Sequence, residues 1–319
     1  MAIPTGTFMS KNAAGNREDL QDAIYNVSPE ETPFLTAAKR MKATNTYHEW
    51  QVDALAAATA GNAKLEGDDA TTNTTTATTR FGNFCQIATK VPRVSGTQRR
   101  IDTAGRSDEL TYQVEEKRWP ELKLDVEKTC LGLQKGVVRT STVAGVSGGM
   151  ARWLFNNQMK VGTADAHTTT AITTAPTVTM TAGTATALTE ADLQTLMGTI
   201  WAQGGQPTMI LCGATNKARI SKFAGIAGIT NQASKANTII GAADRYLSDF
   251  GELSVVPCRQ MPAGNVYVID PEYWAVAYLR PYERSDLART GDADRKLLLV
   301  EFTLAALNPK SSGKIYTTT

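Results

Sequence analysis

Apolar residues recur at steps of three and four most persistently from Arg106 to Leu133. Trp119, Leu122, Val126, Cys130 and Leu133 share one face of the helix this spacing predicts, and charged residues fill most of the rest. Ser107 or Asp108 supplies an N-cap, and Gly132 stands where the helix should stop. At ~1.5 Å per residue the segment spans roughly 40 Å, a beam rather than one side of a small domain. Pro120 lacks a donor and crowds the preceding turn, so a kink near Glu116 to Trp119, or two helices end to end, is expected.

Other patterns are shorter. Residues 1–16 have little periodicity and read as an extended arm, followed by short helices over Arg17–Asn26 and Thr32–Met41. Tyr47–Leu55 alternates as a strand, and Arg80–Val94, broken at Pro92, answers it as a returning strand. Residues 56–79 between them are too rich in Ala, Thr, Gly and Asp to form a core, so the three pieces make a projecting hairpin. A strand over Gly136–Val143 and a helix over Met150–Asn157 come next, then a Thr-rich stretch, 161–188, read as an inserted hairpin. Thr189 caps a helix over Leu193–Gln203, ended by Gly204-Gly205. A strand over Met209–Cys212 and a helix over Asn216–Phe223 precede a glycine-punctuated loop, 225–243. The remaining apolar runs, Leu253–Pro257, Val266–Ile269, Trp274–Leu279 and Lys296–Leu304, are strands. The class is α+β, with both ends of the chain serving the same layers.

Composition narrows the function classes. Across 319 residues, 42% are hydrophobic and 20% charged, with net charge +2, which does not describe an overall nucleic-acid binder. Cys85, Cys130, Cys212 and Cys258 lie too far apart for metal spacing and read as reduced, buried thiols. No charged-then-apolar leader opens the chain, and no apolar run suits a membrane span, so neither secretion nor a membrane is expected.

Gly145-Val146-Ser147-Gly148-Gly149 fits a nucleophile elbow between a strand and a helix. The only downstream histidine is His167, two residues after Asp165 in the Thr-rich insert, a spacing unsuited to a hydrolase triad. The preferred reading is a glycine turn. With His48 and His167 the only histidines, a His-based metal site is not expected, and Asp292 and Asp294 lack the closing glutamate of a calcium loop. Lys90, Arg93, Arg99, Arg100 and Arg106 form a basic stretch without the aromatic interleaving of a base-stacking platform. Intersubunit ion pairs are the favoured use, ahead of phosphate contact. No catalytic centre, cofactor or metal site is assigned.

The order of parts, with Glu18–Arg40, Asp108–Gly132, Gly204–Gly225 and Leu287–Ile315, resembles the major capsid proteins of tailed bacteriophages, the Hong Kong phage type of capsid fold. The resemblance implies an N-arm at 1–44, an extended β-hairpin loop at 45–100 and the spine helix of a peripheral domain at 101–135. It further implies an axial domain at 136–270 carrying the insert, and peripheral return strands at 271–319. The implied role is self-assembly into an icosahedral shell around double-stranded DNA, not enzymatic work. Trp50, Phe81, Arg93, Arg99, Arg100 and Trp119 are the assembly-interface candidates. Implied partners are further copies in hexamers and pentamers, a separate scaffolding protein, a portal, a decoration protein, and packaged DNA in diffuse contact. The implied location is the virion, after synthesis in the host bacterial cytoplasm. An encapsulin-like nanocompartment shell, told apart by an inner cargo-binding pocket, and a serine hydrolase using Ser147 are the alternatives.

Overall fold

The structure is a computed structural model that describes residues 28–67, 77–161, 186–223 and 244–316, with a few single positions beyond them. The Arg17–Asn26 helix, most of the Thr-rich insert and the 225–243 loop lie outside the described residues.

The expected beam is one continuous helical run, and its irregularity has a double cause. Asp108 caps it, its carboxylate accepting from the Leu110 and Thr111 amides. The run passes through α2 (Glu109–Tyr112), a π-helical turn (Gln113–Arg118) and α3 (Trp119–Leu131). Within the turn the Trp119 N–H reaches back to Val114 O, five residues rather than four. Pro120 follows directly and has no N–H to give. The turn also corrects the register of the buried face. Val114 and Leu122 are eight residues apart, which in an ideal α-helix leaves them about 80° out of line. A π-turn absorbs one residue, so the pair behaves as if seven apart and lies within about 20°. Leu110, Val114, Leu122, Val126 and Cys130 are consequently buried together. The expected kink is thus a π-turn, and neither Trp119 nor Leu133 is fully buried.

Two sheets flank this helix. The first has the order β1 (Lys39–Lys42), β11 (Trp274–Asp286), β12 (Ala293–Ala306), β4 (Gln86–Lys90), with β5 (Arg93–Ser95) also on β12. β1 runs parallel to β11; the other pairings are antiparallel. The second has six strands, ordered β6 (Gln158–Lys160), β13 (Gly313–Tyr316), β10 (Asn265–Ile269), β7 (Met209–Cys212), β9 (Gly251–Pro257), β8 (Arg245–Ser248). Its central strands, β13, β10 and β7, are buried on both faces. Leu211, Tyr267 and Ile269 join the core under the spine helix. Ile210, Cys212, Val266 and Val268 pack with α5 (Glu190–Ala202) and α6 (Ala214–Ile220).

Several elements differ from the sequence reading. Helix Thr32–Met41 is only α1 (Pro33–Ala37), because the chain then pairs as β1. Gly136–Val143 is not a strand; its one ladder contact is a bridge from Val137 to Val146. Met150–Asn157 shortens to α4 (Met150–Trp153). Gly313–Tyr316, not singled out in the sequence, forms β13 and pairs with β10 and β6 of the second sheet. Helix α5 matches closely: Thr189 and Asp192 form a reciprocal capping box, and Gly204 at φ 82° ends it in a conformation that favours glycine. All four cysteines are free and buried.

Candidate assembly interface

A third, two-stranded sheet stands apart from the other two. β2 (Tyr47–Val52) and β3 (Thr79–Phe84) pair antiparallel, with Trp50 opposite Phe81 and His48 opposite Asn83. Past Val52, residues 53–67 contain no regular element and are exposed throughout. Leu55 and Leu65 are 100% and 82% exposed, so among the described residues no apolar surface of the same subunit covers them.

The root of the ribbon is fixed firmly. The Trp50 ring lies 5.2 Å from that of Trp153, and Phe81 meets Trp153 edge-on at 6.0 Å. Asn83 is fully buried, and its amide donates to Ser147 Oγ, Gly148 O and Leu304 O at 3.2, 3.1 and 2.8 Å. Its carbonyl oxygen accepts from the Gly148 and Phe84 amides. One side chain thereby joins the ribbon, the glycine loop and β12. His48 is half-buried beside Trp50, and burial lowers its pKa from the ordinary histidine value.

The glycine loop is part of this joint. Ser147 is 1% exposed, and its Oγ accepts from the Leu304 amide as well as from Asn83. A hydroxyl held in this way has no open side for a substrate. Gly149 packs so closely on the Gly132 carbonyl that an added Cβ would strike backbone. Asp165 and His167, the other members of the hydrolase reading, lie outside the described residues.

The interface candidates have different surroundings. Trp50 is 9% exposed and Phe81 partly buried, both in the core of their own subunit. Trp119 is half-buried and packs edge-on against Tyr282 at 5.9 Å. Arg99 is engaged internally, with Asp108 at 3.1 Å and Asp294 at 2.5 Å. Hydrogen bonds from Arg289 and Arg99 bring the Asp294 carboxyl down to about 2, so the acid that suggested a calcium loop serves an ion-pair cluster. Lys90 reaches Asp125 at 2.7 Å, and Arg106 reaches Glu109 at 2.8 Å. Only Arg93 and Arg100 of the basic stretch are exposed and lack an ion-pair partner among the described residues. Among those residues, no group of His, Cys, Asp and Glu fits a metal ion, and no helix is long and apolar enough to cross a membrane.

Three residues that the sequence reading missed hold this framework. Asn83 is one. Glu301 is a second: burial raises its carboxyl, but Arg139 and Arg280, at 2.6 and 2.8 Å, outweigh that and leave it below the ordinary value. Glu127, on the buried side of α3, is the third. Each is a polar residue at an apolar-periodic or strand position, the one sequence signal they gave.

With this geometry in hand, the relatives can be placed. The family model for the SU10 major capsid protein matches residues 3–319. The chain is 27% identical to the major capsid protein of Escherichia phage Phieco32, over 99% of this chain and 98% of that one. Among solved structures, a chain from the capsid of a native GTA particle covers 97% of this chain and 98% of its own, at 10% identity and TM-score 0.62. A chain from the capsid of cyanophage P-SCSP1u covers 98% and 96%, at 11% identity and TM-score 0.59. These two show a shared fold; neither the nanocompartment shell nor the serine hydrolase gains support. The full-length family match decides the matter: this chain belongs to the SU10 major capsid protein family and is a major capsid protein of tailed phages, a unit of the icosahedral head shell.

Proposed function

We propose that the exposed ribbon extension and the N-terminal arm complete their packing only on neighbouring copies, so that final folding and shell assembly are one coupled process. The observation that carries this is the uncovered stretch 53–67 beyond the two-stranded ribbon, with Leu55 and Leu65 in water. The extension has no ladder of its own among the described residues, and anything that binds only its ordered form stabilises it by mass action. On this reading Arg93 and Arg100 meet acids of neighbouring copies, while Trp50, Phe81, Arg99 and Trp119 act indirectly by fixing the parts that touch. The arm 1–44, the extended loop 45–100, the peripheral pieces 101–135 and 271–319, and the axial domain 136–270 remain the proposed division, with β13 crossing it.

The copies close into hexamers and pentamers through heterologous ring contacts. A separate scaffolding protein, a portal and a decoration protein are the proposed partners; contact with packaged DNA is diffuse and salt-sensitive. The chain is made in the host cytoplasm, ends in the virion and carries no catalytic step. Deletion of residues 56–77 tests the central point. It should leave soluble subunits with a normal thermal melt that build no stable shells in negative-stain images. Shells of wild-type yield and durability from this variant would refute the role given to the loop.

A further inference from the structure

Glu127 is fully buried in α3, yet among the described residues it faces neither a guanidinium nor an ammonium group. Its two oxygens accept from the Phe34 and Leu35 amides, each at 2.8 Å. These are the opening amides of α1, which need acceptors because the preceding residue, Thr32, makes no side-chain cap. The Cys258 thiol, just beyond β9 of the second sheet, lies 3.8 Å from the same carboxylate. One side chain therefore joins the strap formed by α1 and β1, the spine helix and the end of β9 in the second sheet. Burial pushes its carboxyl upward, and the two amides pull the other way.

A local cap would have been the simpler arrangement. Thr32 is itself a capping residue type, yet its side chain makes no cap, and the amides turn instead to a buried acid far along the chain. What the distant carboxylate adds is geometry: α1 can be capped only while it sits on the spine at this point. Phe34, fully buried against Trp274 at 6.4 Å, and the parallel pairing of β1 with β11 continue the same seam.

We propose that Glu127 is a positioning residue for assembly: it pins the strap 32–42 to the spine helix and so fixes where the arm leaves the subunit. This rests on the assembly role given above to the arm. Wild-type subunits that built no shells would refute that role; the pin is judged by variants beside a wild type that does build them. Lys39, Arg40 and Lys42 are exposed along β1 and report on the strap through trypsin cleavage. In Glu127→Gln an amide N–H₂ must face the amides of α1. Cleavage at the three sites should accelerate at least tenfold, the thermal melt should change little, and shell yield should collapse. Adding Thr32→Asp restores a local cap but not the tie to the spine, so shells should stay absent. Normal shells with wild-type protection in Glu127→Gln, or shells recovered in the double variant, would overturn the proposal. If Glu127→Gln yields no soluble protein, hydrogen exchange on the wild-type subunit decides: the Phe34 and Leu35 amides should exchange as slowly as those of α3, and fast exchange would overturn it.

Discussion

Asn83 shows how much one side chain can carry. Removing its amide leaves Leu304 O and Gly148 O short of a donor and Gly148 N–H short of an acceptor, all in a buried joint. Asn83→Ala should therefore lower stability by about 2–4 kcal/mol in urea unfolding. Ser147→Ala leaves the buried Leu304 N–H short of an acceptor and should lose about 1–3 kcal/mol. Asp294 sets a pH dependence whose sign follows from its depressed pKa. Its stabilising contribution is fully present above the ordinary aspartate value near 4 and is lost as pH falls toward about 2. Glu127, shifted upward, works in the opposite sense: its contribution falls as pH rises past the ordinary glutamate value. Because Asp294 lies in an exposed cluster, salt should weaken its effect. Melting curves between pH 4 and 2 should be flatter for Asp294→Asn than for wild type.

At the scale of elements, the spine helix separates two explanations of one irregularity. If Pro120 alone caused the π-turn, Pro120→Ala would convert the helix to uninterrupted α. If the register between Val114 and Leu122 holds it, the turn should survive, since an uninterrupted helix would rotate one half of the buried face away from the core. We expect the turn to persist in the variant's structure, with stability changed by no more than about 1 kcal/mol. Strand lengths teach a related lesson. β11 and β12 extend well past their apolar centres because each edge finds partners, β1 on one side and β4 and β5 on the other. Gly136–Val143 alternates acceptably but pairs with no strand among the described residues, and it stays irregular.

Across the whole molecule, chain order and sheet order diverge. β1 comes from the start of the chain and β13 from its end, and each completes a sheet built mainly from distant segments. Such pairing closes long loops and costs chain entropy that the local helices do not. The ribbon and the strap are fixed firmly at their roots, by Asn83 and Trp153 in one case and Glu127 in the other. Rigid attachment at the root fixes the direction in which each segment leaves the core.

Periodicity alone determined the spine helix, the capped helix after Thr189, the buried central strands and the ribbon with its polar extension, because each follows from local apolar spacing and end signals. The resemblance carried by the order of parts and by Glu18–Arg40, Asp108–Gly132, Gly204–Gly225 and Leu287–Ile315 pointed to the capsid family that the full-length match then showed. Only the tertiary structure decided that Trp50 and Phe81 face inward, that Arg99 is paired at home, that Ser147 is a joint, and that Glu127 caps a helix remote from it in sequence. A side chain's partner depends on which segments pack together, and that is settled by the burial of the whole core rather than by its sequence neighbours.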